Sequence, residues 1–461
     1  MNASLPKGTR DFGPNEMQQR NYILSCIKKY FLLYGFEQIE TPAMENLSTL
    51  TGKYGEEGDQ LLFKILNSRI HESKKKDELL VEFEKSLEKP RNSEALTERA
   101  LRYDLTVPFA RFVVMNQHKL SFPFKRFQIQ PVWRADKPQR GRYREFIQCD
   151  ADVIGSNSLL NEVDLIAMMN DVYGGLKIPA LIKLNNRKIL SGIAEIIDAK
   201  EFIIDITVAI DKIEKIGIEK VNEELLNKGL SQKSLTQLQP LFQISGNNTK
   251  KLSKLKEFLK DNEIGNKGIE ELEYVLKTCE NLLLQHVTLE IDFTLARGLN
   301  YYTGSIIEVK CTQGSISSSI TGGGRYDDLT GIFGLKGMSG VGISFGIDRI
   351  FDVMQELNLF PPEISEHSTT KILLTNFGKT EEEYCIQITK KLRENGIATE
   401  LYPEASKMKK QFDYADKKKI PFVGIIGSDE MNTGILSLKN MKTGEQSKMN
   451  FNDMLLFLKK N

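Results

Sequence analysis

Disulfide and zinc signatures are missing from this chain of 461 residues. Its five cysteines, at 26, 149, 279, 311 and 385, include no CxxC pair, and its four histidines stand far apart. Such spacing supports neither a cystine framework nor a zinc site. No apolar run approaches the roughly 20 residues of a membrane helix. The opening "MNASLPKGTRDFGP" has no apolar core of a signal peptide. A cytoplasmic location, with reduced thiols and no membrane partner, is the expectation. An excess of charge is also lacking, since 63 basic and 62 acidic residues leave a net +1. Any contact with nucleic acid must therefore come from local patches. Nothing matches the phosphate loop GxxxxGK[ST], and the glycines of "SGVGISFG" have the wrong spacing for a dinucleotide fingerprint. A nucleotide bound here must be gripped by arginines.

What is present is ordinary in bulk: 40% apolar and 27% charged residues, in a chain long enough for two or three cores. Residues 16–34 have helical apolar spacing ended by Gly35, and "FEQIETP" reads as a short strand. The charge-rich 67–100 stretch reads as an exposed, partly mobile insertion. Residues 159–174 look helical, and about 190–285 form a lysine- and leucine-rich helical block. Strand character returns from 288 to 346, before a helix from Ile347. "NLFPPEISEHS" is a linker, and the segments beyond it alternate strand and helix as in a compact α/β domain.

The densest signal is "WRADKPQRGRYREFIQCDADV", from Trp133 to Val153. Successive strand residues face opposite ways. Arg142, Arg144, Phe146, Gln148, Asp150 and Asp152 therefore share one face, and Tyr143, Glu145, Ile147, Cys149, Ala151 and Val153 the other. The preceding "RFQIQPVWR" alternates alike, with Arg126, Gln128, Gln130 and Arg134 on one face. "ADKPQRG" supplies the turn of a long antiparallel hairpin. A strand facing solvent could carry such charges idly. A surface that needs only solubility mixes its signs, however, and this one separates them. The ligand it suggests is phosphate at one end and cationic at the other.

Four other places are ambiguous in isolation. In "LRYDLTVPFAR", Asp104 and Thr106 share a side if the segment is extended, or cap a helix before Pro108. "LARGLNYYTGSIIEV" sets Arg297 beside Tyr301 and Tyr302, an arrangement that also serves packing. Arg349 of "GISFGIDRIFDV" sits in a helical first turn, where a cation is disfavoured by about 0.3–1 kcal/mol. It needs an anionic partner, either Asp348 or Asp352 or a bound phosphate. "GGGRYDDL", with Arg325, suits close backbone approach to a ligand or a flexible turn.

Taken in order, the motifs resemble those of the histidyl-tRNA synthetase family within the class II aminoacyl-tRNA synthetases. "KGTRDFGP", "GFEQIETP", the arginine hairpin, "ARGLNYYTG", "GGGRYDDL" and "GVGISFGIDRI" carry the resemblance, which runs from residue 7 to about 355. Trp133 and Asp136 depart from the Phe and Glu common around the hairpin arginine. The resemblance implies an α+β fold: a class II antiparallel sheet flanked by helices, a helical insertion and a C-terminal α/β anticodon-binding-like domain. It implies catalytic parts at 1–180 and 288–360, an insertion at 181–287 and the anticodon-binding domain at 370–461.

The implied reaction joins histidine to ATP as an adenylate, then to tRNA(His), with Mg2+ accompanying ATP and no zinc or organic cofactor. Arg134 and Arg297 are the implied catalytic residues, both gripping the α-phosphate. Arg142, Phe146 and Arg349 join Arg134 in binding ATP. Asp104, Thr106 and Gln148 are assigned to the α-ammonium, and Asp152, Tyr301 and Tyr302 to the imidazole. Gln139 and Arg140 are assigned to the tRNA acceptor end; Lys407, Lys409 and Lys410, with Lys417 to Lys419, are candidates for tRNA phosphates or an ordinary solvated helix face. The Glu16–Pro42 segment implies a homodimer. A histidine-sensing regulatory paralogue without catalysis, or a sister synthetase for another amino acid, is the alternative.

Overall fold

The hairpin forms where the alternation places it, as two ten-residue strands, Phe124–Trp133 and Glu145–Ile154, paired antiparallel. They are the second and third strands of an eight-stranded sheet in a computed structural model. The structure describes every residue except 1, 2, 53, 54, 89–91, 140, 296–301, 366, 367 and 461. The chain divides into two units, Met1–Leu359 and Phe360–Asn461.

In the first unit the strands are β1 (Glu37–Gln38), β2 (Phe124–Trp133), β3 (Glu145–Ile154), β4 (Ala180–Asn186), β5 (Val287–Ile291), β6 (Ser305–Cys311), β7 (Thr321–Asp327) and β8 (Ser339–Gly346). Their spatial order is β1-β2-β3-β8-β7-β6-β4-β5. The outermost pairs, β1 with β2 and β4 with β5, are parallel, and every pair between them is antiparallel. The helices of one face are α1 (Pro14–Leu33) and α3 (Leu160–Leu176). Between them in sequence lies α2 (Thr106–Asn116), and α4 (Ile347–Glu356) follows β8.

Pro14 opens α1, where its missing N–H is no loss, and Glu16 accepts a 2.7 Å bond from the Gly13 amide. Ile23, Ile27 and Phe31 recur at one-turn spacing and are fully buried. Phe31 packs 5.2 Å from Phe127 and 5.9 Å from Phe345, and Tyr173 of α3 lies 5.9 Å from Phe345. These contacts bury the odd-numbered side of β2 and β3, including Cys149, Ala151 and Val153. Burying each large apolar side chain contributes about 1.5–3 kcal/mol. The even-numbered side is left to face the other way.

Two sequence expectations need correction. The segment expected as an insertion from 181 begins with β4, which lies inside the large sheet, so the helices of this region run from Arg187 to Asn281. The charged 67–100 stretch does hold an exposed helix, Lys76–Glu88. Its end, Arg99–Leu101, is instead the middle strand of a small sheet between Met44–Asn46 and Lys64–Ile65. Ala100 is wholly buried there. Three strand residues beside so many charges give no readable alternation.

The second unit has strands β9 (Ile372–Leu374), β10 (Thr399–Leu401), β11 (Phe422–Ile425), β12 (Ile435–Asn440) and β13 (Gln446–Asn450) in the order β10-β9-β11-β12-β13. Its longer helices are α5 (Lys379–Glu394), α6 (Met408–Lys417) and α7 (Phe451–Lys460). Its core includes Ile372, Leu374, Leu392, Phe422 and Met454.

Candidate active site

Register fixes what the even-numbered side of β3 meets. Arg126 of β2 lies opposite Asp152, and Gly342 of β8 lies on the other side of Asp152. One step on, Gln128 and Ser344 flank Asp150, and a step further Gln130 and Gly346 flank Gln148. This is no solvated surface, for Arg126 and Gln128 are wholly buried and Asp150 and Asp152 are 2% exposed.

The floor is an ionic cluster. Arg126 Nη2 stands 2.8 Å from Asp152 Oδ2, and the Tyr326 hydroxyl donates to Asp152 Oδ1 at 2.7 Å. The Arg126 guanidinium also lies 4.2 Å over the Phe109 ring. Its Nε and Nη1 have no hydrogen-bond partner among the described residues. Burial pushes the Asp150 carboxyl up to about 7, with Arg126 opposing and the neighbouring Asp152 reinforcing the rise. Burial likewise raises Asp152, opposed by Arg126 and the Tyr326 hydroxyl. A buried pair of carboxyls sharing one arginine favours a cationic or proton-donating guest.

Glycine makes room for this floor. A methyl at Gly342 would fall 1.9 Å from Asp152 Oδ1, and one at Gly324 would fall 2.8 Å from Tyr302 Cδ1. Tyr302 is nearly buried, with its ring over β7. "GGGRYDDL" is thus neither a flexible turn nor a bare cradle: its first six residues lie in β7, and its closest approach is to protein atoms. Arg325 is equally committed. Its Nε and Nη2 donate to Glu162 at 2.6 Å each, and its Nη1 to Ser339 Oγ at 2.6 Å.

The other end of the hairpin gathers cations. Arg134 Nε donates to the Tyr103 carbonyl at 3.1 Å, and Nη2 to Gln148 Oε1 at 3.5 Å. Its guanidinium lies 4.2 Å from the Tyr103 ring and 5.2 Å from the Phe146 ring. Gln148 in turn donates to Ser344 Oγ at 2.8 Å. Arg142 is half exposed, 3.7 Å from Asp136, and its backbone exchanges both hydrogen bonds with Gln139. Arg349 reaches back from α4 and donates to the Gly141 carbonyl at 2.9 Å and the Ser319 carbonyl at 2.6 Å. Asp348, one of the partners weighed for it, pairs with Arg10 and with Arg20, the latter at 2.7 Å.

Asp104 and Thr106 resolve against the extended alternative. Thr106 is the first residue of α2, and Asp104 Oδ1 accepts from the Val107 amide at 3.2 Å. Asp104 is nonetheless part of the floor's electrostatics, adding to the rise at Asp150. Arg297, Tyr301 and Arg140 lie outside the described residues. Arg126 and Tyr326 carry the floor, yet sequence reasoning assigned neither a part in the site. Arg126 was visible only as a member of the polar face, and nothing local marks Tyr326.

Comparison with known proteins follows the same division of the chain. A family model described as histidyl-tRNA synthetase matches residues 93–350, and one described as anticodon binding domain matches residues 371–461. The chain is 57% identical over 455 residues to a histidine–tRNA ligase of Phocaeicola vulgatus, covering 99% of this chain and 98% of that one. It is 55% identical over 442 residues to a histidine–tRNA ligase of Bacteroides fragilis, covering 96% of each. A crystal structure of histidyl-tRNA synthetase from Nostoc sp. PCC 7120 is similar with a TM-score of 0.81 at 30% identity, over 100% of this chain and 99% of that one.

Proposed function

The chain belongs to the histidyl-tRNA synthetase family, and from that premise we propose how its residues divide the work of joining histidine to tRNA. The activity is that of a histidine–tRNA ligase. The histidine carboxylate attacks the α-phosphate of ATP, pyrophosphate leaves, and the histidyl group passes from the adenylate to the terminal ribose of tRNA. Mg2+ enters with ATP as part of the substrate.

A single sheet face, anionic at its buried floor and cationic at its mouth, carries the assignment. Arg134 grips the α-phosphate and the substrate carboxylate at the mouth, aided by Arg297. Arg142 and Arg349 hold the outer phosphates, and Phe146 stacks on the adenine. Each charge-assisted bond contributes about 1.5–3 kcal/mol and strengthens as charge builds on the phosphate. Little acid–base chemistry is needed, so positioning dominates. Asp104, Thr106 and Gln148 receive the α-ammonium. Asp152 and Tyr302 meet the two imidazole nitrogens, with Tyr301 alongside. Arg126 and Tyr326 keep the Asp152 carboxylate turned toward them. A site that pairs both ring nitrogens rejects analogues lacking them by about 10⁴ or more.

Gln139 and Arg140 of the hairpin turn meet the tRNA acceptor end, and the C-terminal unit binds the anticodon region. A cytoplasmic homodimer formed through Glu16–Pro42 completes the reading. Exchange of radioactive pyrophosphate into ATP tests it: exchange that depends on histidine, and on no other amino acid, is expected. Histidine binding without exchange would instead identify the regulatory paralogue, a reading that the ligase names of the closely similar relatives oppose.

A further inference from the structure

The N-terminal "KGTRDFGP" has no substrate contact in that assignment, yet it ties together the two segments that bring arginines to ATP. Gly8 is where it meets the hairpin turn. The Gly8 carbonyl accepts from the Arg144 amide at 2.8 Å, and the Lys7 carbonyl from Arg144 Nη1 at 3.4 Å. Gly8 has φ +90, and a methyl there would fall 2.8 Å from Arg144 Cγ and 2.9 Å from Pro138 Cγ. Two residues on, Arg10 spans from the turn to α4. Its guanidinium stacks 3.5 Å from the Tyr143 ring, pairs with Asp348 through Nη2, and stands 3.9 Å from Asp352 through Nη1. The Tyr143 hydroxyl closes the loop with a 3.3 Å bond to Asp352. Asp348 also accepts from the Ile147 amide of β3 at 3.3 Å.

Neutralising Asp348 does not require Arg10. Arg20, almost wholly buried, donates to the same carboxylate oxygen at 2.7 Å and stacks 3.9 Å over Phe12. What Arg10 adds is the link from that carboxylate to Tyr143, which adjoins Arg142. Asp348 itself adjoins Arg349. A planar guanidinium can stack and ion-pair at once, whereas an ammonium cannot present both a flat face and a fork.

We propose that Arg10 is a positioning residue for ATP: through Asp348 and Tyr143 it sets Arg349 of α4 against the turn that carries Arg142, without touching substrate. This rests on the assignment of Arg142 and Arg349 to the triphosphate. Misplacing reacting groups by about 1 Å can lower rates by about 10²-fold, so loosening this strap registers in ATP use first.

The experiment is histidine-dependent ATP–pyrophosphate exchange by R10A and R10K, with KM for ATP and for histidine measured separately and melting followed in parallel. R10A is expected to raise KM for ATP about tenfold while KM for histidine stays within about twofold. R10K, which keeps the ion pair but loses the flat stack, is expected to fall between R10A and the parent. If R10A does not fold, the same split is read from R10K and Tyr143→Leu. An unchanged KM for ATP, or equal increases in both constants, overturns the proposal. Failure of the parent chain to catalyse exchange would overturn the functional reading instead.

Discussion

Arg126 and Asp152 form an ion pair at 2.8 Å in which the side chains are 0% and 3% exposed. Charges so placed are costly to bury and costlier to separate, because removing one strands the other in a low dielectric. Arg126→Leu leaves both Asp150 and Asp152 without their cation. It is expected to lower unfolding free energy by about 3–5 kcal/mol, as measured by urea denaturation at pH 8. Adding Asp152→Asn should recover part of that loss, because the uncompensated anion is then gone.

Asp150 makes stability depend on pH. Its folded-state value of about 7 lies above the usual unfolded value of about 3.9. Between those values the folded chain binds more protons than the unfolded one. Its contribution therefore falls as pH rises from about 4 to about 7, then levels off. Asp150→Asn removes this decline. Relative to the parent, the variant should gain at least about 1.4 kcal/mol, one pKa unit's worth, between pH 5 and pH 8. Thermal melting at both pH values checks it, and an identical pH trend in the two proteins would refute it.

Gly342→Ala tests the floor from the opposite strand. Its methyl would enter 1.9 Å from Asp152 Oδ1, so the carboxylate must move. Overpacking of this kind costs about 1–3 kcal/mol in stability. KM for histidine should rise by at least about tenfold, and KM for ATP much less, because the arginines at the mouth are untouched. Separate titration of the two substrates in pyrophosphate exchange reads the difference.

The lysines of α6 and its flanks offer a separable prediction. Among them, Lys410 stands 3.6 Å from Glu404 and Lys418 pairs with Glu400; of the other four, Lys407 and Lys409 lie together at the start of α6 and serve as the test pair for contact with tRNA phosphates. Replacing both with Gln should weaken tRNA binding. The slope of log affinity against log salt should become shallower by about one for each phosphate no longer neutralised. Histidine-dependent exchange, which needs no tRNA, should be unchanged. Filter binding across a salt series decides it.

The hairpin was legible because period-two alternation and a Pro–Gly turn are local properties, and the helix of residues 16–34 was legible for the same reason at a longer period. The partners of the site were not. Arg10 finds Asp348 across 338 residues, and Tyr326 finds Asp152 across 174. Nothing in either neighbourhood announces such pairing. Of the partners weighed for Arg349, Asp348 is taken by Arg10 and Arg20. Sequence proximity suggested that acid, whereas the fold gives Asp348 to the N-terminal segment and brings Arg349 to the Gly141 and Ser319 carbonyls. The strand at Arg99–Leu101 was hidden by its brevity and by the charges around it.

Gly342 and Gly324 stand side by side in β8 and β7, and the space their missing methyls leave is filled by the Asp152 carboxylate and the Tyr302 ring. A strand-to-strand spacing of about 4.7–4.9 Å therefore fixes how far apart those two side chains stand. Effort to broaden the amino acid accepted should begin with the spacing of these two strands.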